Sequence, residues 1–254
     1  MITMKGAAVS AKLKEQVEKG LETLTWVPKL TIIRVGENPD DISYEKGATK
    51  KLTSFGLEVE SKVFPGDISD EAFKKEFAAI NADASVDGIL MLRPLPKQIN
   101  EQDIEKMIDP AKDLDGISPV NIAKVFSGDT SGFAPCTAEA VVCMLKMNDI
   151  ALSGKRVAVV GRSMVVGRPL SMLLLHENAT VTICHSRTAS LPEVCREADI
   201  LTACVGKAAM INHTYVKKDA VVIDVGINVD ENGKLCGDVD FADLEGTASA
   251  ATPV

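Results

Sequence analysis

The stretch RVAVVGRSMVVGRPLSMLLLHEN, Arg156 to Asn178, decides how this chain folds. RVAVVG (156–161) is a short apolar run ending at Gly161, which reads as a strand buried on both faces. VGRPLSMLLLHEN (166–178), in which Gly167 opens the regular part, reads as a helix packed on that strand. Strand, glycine-bearing turn and helix in this order can bring backbone N–H groups together as a cradle for a diphosphate. The spacing is GxSxxxG rather than GxGxxG, and taken alone it equally suits a plain strand–helix turn.

The segments on either side extend the pattern. Downstream lie a strand ATVTICHS (179–186), a helix LPEVCREAD (191–199) and two strands, ILTACVG (200–206) and AVVIDVGIN (220–228). Upstream, TAEAVVCMLKM (137–147) is helical and reaches the first strand through the turn SGK. This alternation is the doubly wound, nucleotide-binding arrangement. The first half repeats the rhythm. Val9, Leu13, Val17, Leu21 and Leu24 recur at helical spacing, LTIIRVG (30–36) is a strand, ENPDD is a turn, and a helix covers 43–54. A strand LEVESKVF follows, then a helix capped by Ser69 with an apolar face of Phe73, Phe77 and Ile80. The strand VDGILML (86–92) is stopped by RPLP, and a short helix over 101–108 precedes the turn DPAKDLDG. The expectation is two α/β domains, 1–120 and 121–254, with the helix over 137–147 bridging them.

Composition narrows the function. The chain has 254 residues, 46% of them hydrophobic, and a net charge of −8. That charge argues against nucleic acid or an anionic membrane as a partner. No apolar run nears the ~18 residues of a membrane span. The opening MITMKGAAVSAKLKEQ lacks the apolar core of a signal peptide, so a cytoplasmic protein is expected. Six cysteines form no CxxC pair and three isolated histidines offer no zinc spacing, so the sequence predicts reduced thiols and no metal site.

The end of the second strand discriminates between dinucleotides. An NAD site usually places an acid about 20 residues beyond the first glycine, for the ribose hydroxyls. Here the neighbourhood reads Cys184-His185-Ser186-Arg187, without an acid. A hydroxyl and a guanidinium suit a 2′-phosphate, which favours NADP; a solvated loop arginine is the alternative for Arg187.

VVGRSMVVGRP, VIDVGIN, KDLDG, PCT and the closing TPV together resemble the methylenetetrahydrofolate dehydrogenase/cyclohydrolase family over essentially the whole chain. The resemblance implies an N-terminal folate-binding α/β domain, a C-terminal Rossmann-type NADP-binding domain and a cleft between them. It implies oxidation of 5,10-methylenetetrahydrofolate with hydride passing to NADP and, in many members, hydrolysis of the methenyl product to 10-formyltetrahydrofolate. Gly161, Arg162 and Ser163 match the family's cofactor loop, and Ser186 and Ile227 match positions that line its NADP site; Gly167, Arg168, His185, Arg187 and Gly226 complete the expected cofactor-binding set. Asp115 of KDLDG matches an acid that holds the pterin. A carboxylate can accept paired N–H bonds from an aminopyrimidinone ring, although an Asp before Gly116 also suits a turn. Asp113 reads as a turn residue. Pro135, Cys136 and Thr137 match PCT, where Thr137 doubles as a possible N-cap. A homodimer is expected from the resemblance alone. The chain ends at Thr252-Pro253-Val254, where the family continues into a PGGVG turn and a final helix.

Two positions depart from the family. Bifunctional members carry Tyr-x-x-x-Lys, phenol and ammonium on one helical face about 6 Å apart, and a glutamine in the strand-end motif QLPLP. Here SYEKGATKK (43–51) keeps Tyr44 but has Ala48 at the lysine position, and Leu92-Arg93-Pro94-Leu95-Pro96 has Leu92 at the glutamine. Lys46 and Lys50 lie about 200° and 240° round the helix from Tyr44, and Lys51 regains its face about 10 Å along the axis. Arg93 brings a different cation near the site, a guanidinium in place of an ammonium. The resulting expectation is a dehydrogenase, with Tyr44 and Asp115 at the reacting folate, Leu92, Arg93, Pro94 and Pro135 around it, and little or no cyclohydrolase. The alternatives are a bifunctional enzyme in which Lys51 or Arg93 substitutes, and a silent folate- or nucleotide-binding regulator.

Overall fold

The structure, a computed structural model, describes all 254 residues. Its elements in chain order are β1 (Ile2–Thr3), α1 (Gly6–Leu21), β2 (Lys29–Val35), α2 (Pro39–Ser54), β3 (Glu58–Phe64), α3 (Asp70–Ala82), β4 (Gly88–Met91), α4 (Glu101–Met107) and α5 (Pro119–Ser127). They continue as α6 (Cys136–Met147), β5 (Arg156–Val160), α7 (Gly167–His176), β6 (Thr180–Cys184), α8 (Leu191–Arg196), β7 (Ile200–Ala203), β8 (Val221–Asp224), β9 (Asn228–Val229), β10 (Leu235–Cys236) and β11 (Ala250–Ala251).

The chain divides into two compact units, one of Ala11–Ala134 and one of Met1–Ser10 with Pro135–Val254. The division therefore lies at 134 and not near 120, because residue 120 falls inside α5, a helix the sequence reading did not include. Helix α6 belongs wholly to the second unit.

The Ala11–Ala134 unit is built on a parallel three-stranded sheet of order β3-β2-β4, with Ile33 of β2 opposite Met91 of β4. Its core gathers Ile33, Phe73, Phe77, Ile89, Ile104 and Ile117. Phe73 and Phe77 are fully buried on one face of α3, whose N-cap Ser69 accepts a hydrogen bond from Ala72 N–H at 3.2 Å. Helix α2 starts at Pro39, four residues before the expected start. The Asn38 side chain accepts from Asp40 N–H at 3.0 Å, and proline at the first helical position costs no hydrogen bond.

The other unit holds a parallel six-stranded sheet of order β1-β11-β8-β7-β5-β6. Alternate residues of β5 serve two cores: Val157 and Val159 pack with α6 and α7, Ala158 and Val160 with Cys195 of α8. The chain leaves β5 for β6 on one side and then returns to β7 on the other. That reversal is where doubly wound sheets leave a crevice at the carboxyl ends of their strands. No helix is long and apolar enough to cross a membrane.

Candidate active site

The ends of β5 and β7 and the start of α7 pack backbone against backbone. Gly161, the residue after β5, has φ of 134°, and a Cβ there would lie 2.3 Å from the Cys204 carbonyl oxygen at the end of β7. A Cβ on Gly167 would lie 2.2 Å from the Gly161 carbonyl oxygen, so only glycine lets α7 start against the end of β5. Between them, Ser163 Oγ accepts from Val166 N–H at 3.1 Å, and Arg168 N–H donates to the Ser163 carbonyl at 3.1 Å. Arg162 and Arg168 are exposed on this turn, at the helix end whose dipole favours an anion.

The end of β6 is a tight turn. His185 N–H donates to Thr188 Oγ1 at 2.9 Å, and Arg187 N–H donates to His185 Nδ1 at 3.1 Å. Ser186 and Arg187 are exposed there. No-side-chain glycines beneath a helix start, with a hydroxyl and a guanidinium at the next strand end, fit a dinucleotide carrying a 2′-phosphate.

Two carboxylates outside the expected set fix the neighbouring loops. Fully buried Asp238 accepts from the N–H groups of Val205, Gly206 and Lys207 at 2.6, 3.1 and 2.7 Å, and from Asn228 Nδ2 at 3.0 Å. Asp224, ending β8, accepts from the N–H groups of Gly226, Asp238 and Val239, each at 3.0 Å. Burial raises the Asp224 carboxyl above its usual range, against those backbone donors. Gly226 is buried by this network, whereas Ile227 stands 78% exposed. Asp238 sits in CGDVD, which carries no motif; nothing local flags it. Burial also pushes the Cys204 thiol up to about 12, and its Sγ donates to the Val160 carbonyl at 3.1 Å.

In the Ala11–Ala134 unit, KDLDG runs beside β4: Ile89 N–H donates to the Lys112 carbonyl at 2.6 Å and Leu114 N–H to the Ile89 carbonyl at 3.2 Å. Buried Asp113 is a structural hub, accepting from Ile117 N–H, Ser118 N–H and Asn121 Nδ2 at 3.0, 2.8 and 2.9 Å. Asp115 is thereby delivered beside the end of β4, where Arg93 Nη2 lies 3.7 Å from its Oδ2. Leu92 is buried, and Pro94 is exposed and follows a cis peptide bond. Pro135 is buried at the start of α6 in the other unit.

Helix α2 presents Tyr44 with 58% of its surface exposed. It is pinned to the sheet by Glu45, whose Oε2 accepts from Arg34 Nε at 2.5 Å, both side chains being almost nine-tenths buried. Burial pushes the Glu45 carboxyl up, but hydrogen bonds from Ser61 and Arg34 outweigh it and hold Glu45 below the usual carboxylate range. Its contribution to stability is present above the unfolded-state pKa and lost as pH falls through the folded value. Glu45→Gln is expected to lower the unfolding free energy by about 1.5–3 kcal/mol at neutral pH, read from the urea midpoint, with the difference shrinking in acid. An equal loss at every pH down to 3.5, on the order of the carboxylate range, contradicts the pairing. Lys51, offered as a stand-in for the missing lysine, sits with Nζ 5.4 Å from the centroid of the Phe55 ring at the far end of the helix.

Residues 4–115 match the tetrahydrofolate dehydrogenase/cyclohydrolase catalytic domain and residues 135–254 the NAD(P)-binding domain of the same family. The chain belongs to the tetrahydrofolate dehydrogenase/cyclohydrolase family. Among its relatives, the bifunctional protein FolD of Clostridioides difficile is 50% identical over 254 residues, covering 99% of this chain and 88% of that one. The solved bifunctional FolD of Campylobacter jejuni gives a TM-score of 0.96 at 36% identity, covering 100% of this chain and 91% of that one. A Trypanosoma brucei FolD solved with NADP and an inhibitor gives 0.92 at 29% identity, covering 100% and 90%. Family membership bears out the two-domain α/β fold and places the β5–α7 turn in the family's NAD(P)-binding domain.

Proposed function

We propose that the chain oxidises 5,10-methylenetetrahydrofolate to the methenyl form with NADP. The observation that supports this best is Asp115, a part-exposed carboxylate held at the end of β4 in the catalytic domain. It has the acceptor pattern for the N–H groups of an aminopyrimidinone ring. Tyr44 offers an exposed aromatic face to the pterin, and buried Leu92 with Pro94 supplies apolar wall. The turn from Gly161 to Arg168, with Ser186 and Arg187, would hold the dinucleotide, which supplies the hydride acceptor when bound. The cation that develops on the folate is stabilised by its own nitrogens, so positioning and exclusion of water are the work left to the protein. Pro135, Gly226 and Ile227 are assigned to the folate and cofactor sites on the resemblance, as is the homodimer, which light scattering reads directly.

On the hydrolytic step two readings stand. The relatives are named bifunctional, and this supports a chain that also hydrolyses the methenyl product better than it supports a lost cyclohydrolase. A weak cyclohydrolase is favoured by local chemistry: Ala48 and Leu92 replace the lysine and glutamine, Lys51 is drawn to Phe55, and Arg93 is engaged by carboxylates. Following NADPH formation and methenyl absorbance together separates them. A dehydrogenase alone accumulates methenyl product, a bifunctional enzyme drains it, and a silent binder yields neither signal. Asp115→Asn keeps the size but removes charge and one acceptor pattern, so the KM for the folate is expected to rise on the order of tenfold or more. Unchanged folate kinetics in that variant remove Asp115 from the site.

A further inference from the structure

The cation beside Asp115 is built in more deeply than a surface ion pair. Arg93 has 17% of its side chain exposed, and its fork points two ways. Nη1 donates to Glu101 Oε1 at 3.3 Å and Glu105 Oε1 at 3.2 Å, while Nη2 faces Asp115 Oδ2 at 3.7 Å. Glu101 is itself fixed, because its Oε2 accepts from Leu95 N–H at 2.9 Å. Glu101 and Glu105 stand four residues apart on α4, a spacing at which like charges repel. One guanidinium therefore compensates three carboxylates, with buried Asp113 two residues from the third.

We propose that Arg93 is a positioning residue: anchored on Glu101 and Glu105, it fixes the orientation of Asp115 and so sets the affinity for the folate ring. Arginine suits this because its planar fork can hold two carboxylate groups in fixed relative directions, which a lysine ammonium cannot. Without it, Asp115 loses the guanidinium beside its Oδ2, and Glu101 and Glu105, which share that guanidinium, are left uncompensated. Burial raises the Glu105 carboxyl above the usual range, with the Arg93 guanidinium opposing, in keeping with a crowded acidic cluster. The proposal rests on the reading that Asp115 binds the pterin.

The test is steady-state dehydrogenase kinetics on the full chain for Arg93→Ala, Arg93→Lys, Asp115→Asn and the Arg93→Ala/Asp115→Asn double variant. Arg93→Ala is expected to raise the KM for methylenetetrahydrofolate about tenfold, equivalent to ~1.4 kcal/mol, with the KM for NADP unchanged. Arg93→Lys recovers part of the loss, because charge returns without the fork. In the double variant Arg93→Ala adds less than about twofold to the Asp115→Asn effect, since coupled residues are not additive. A full tenfold penalty on the Asp115→Asn background, or a flat folate KM in Arg93→Ala and Arg93→Lys, overturns the proposal. If Arg93→Ala does not fold, Arg93→Lys and Glu105→Gln carry the test, each expected to raise the folate KM and to leave that for NADP alone. A wild-type chain that forms no NADPH overturns the dehydrogenase reading itself and this proposal with it. An active chain with a flat folate KM overturns the positioning role alone.

Discussion

Arg187→Ala is expected to weaken NADP by about 10–100-fold while changing NAD by no more than about twofold, because a charge-assisted hydrogen bond to phosphate is worth roughly 1.5–3 kcal/mol. Arg187 stands exposed at the end of β6, on a turn tied by His185 and Thr188, so the variant removes the guanidinium without disturbing the backbone that carries it. NAD has a hydroxyl where NADP has the 2′-phosphate, so it lacks the charged group with which the guanidinium is expected to pair. Raising the salt concentration should narrow the gap between the two cofactors in the wild type and leave the variant nearly flat, since an exposed ion pair is screened. Isothermal titration of both cofactors reads all of this directly. Equal losses for NADP and NAD would reject the phosphate assignment and return Arg187 to the solvated loop.

Much of the fold was legible because it is written in local chemistry. The β5–turn–α7 unit announces itself in consecutive residues, and the structure shows why glycine stands at both ends: neither position has room for a Cβ. Ser69 and the Phe73/Phe77 spacing gave α3 in the same way. Helix α5 is equally readable, with Ser118 as cap, Pro119 at the first helical position and Gly128 as stop, but the expected elements pass from the DPAKDLDG turn to the helix over 137–147 without it. The domain division moved from 120 to 134 for that reason. Strand β1 left no signal. Its two residues are strand only because Ile2 and Thr3 pair with Ala250 and Ala251, at the other end of the chain.

The candidate site shows the same divide. Tyr44, Asp115, the Gly161 turn and Arg187 lie in short motifs. Asp238 and the Arg93–Glu101–Glu105 cluster are defined by partners brought from elsewhere in the chain. Asp238 gathers donors 31 to 33 residues away. Arg93 became meaningful only when the segment after β4, helix α4 and KDLDG were seen to converge on it.

That convergence shapes the most demanding expectation, which concerns Ala48. Introducing Ala48→Lys with Leu92→Gln should raise the ratio of methenyl hydrolysis to dehydrogenation by at least about tenfold, since acid–base groups are typically worth 10²–10⁴-fold. Helix α2 already carries position 48 one turn beyond Tyr44, and the Arg34–Glu45 pair keeps that helix fixed, so a lysine there enters the geometry of Tyr-x-x-x-Lys. The gain should stay at the lower end of that range, for two reasons. A new ammonium carries the same sign as Arg93, and buried Leu92 sits in an apolar shell that must accept an amide. Adding Arg93→Leu tests the first reason, because removing the cation should increase hydrolysis further while raising the folate KM through Asp115. The readout is decay of methenyl absorbance after a fixed amount of NADPH has formed, corrected for uncatalysed hydrolysis. If the unmodified chain already drains the methenyl product at the rate it forms and the double variant changes nothing, the bifunctional reading of its relatives extends to it. Hydrolysis would then run without a lysine at 48, with Lys51, Arg93 or a water network moving the proton in its place.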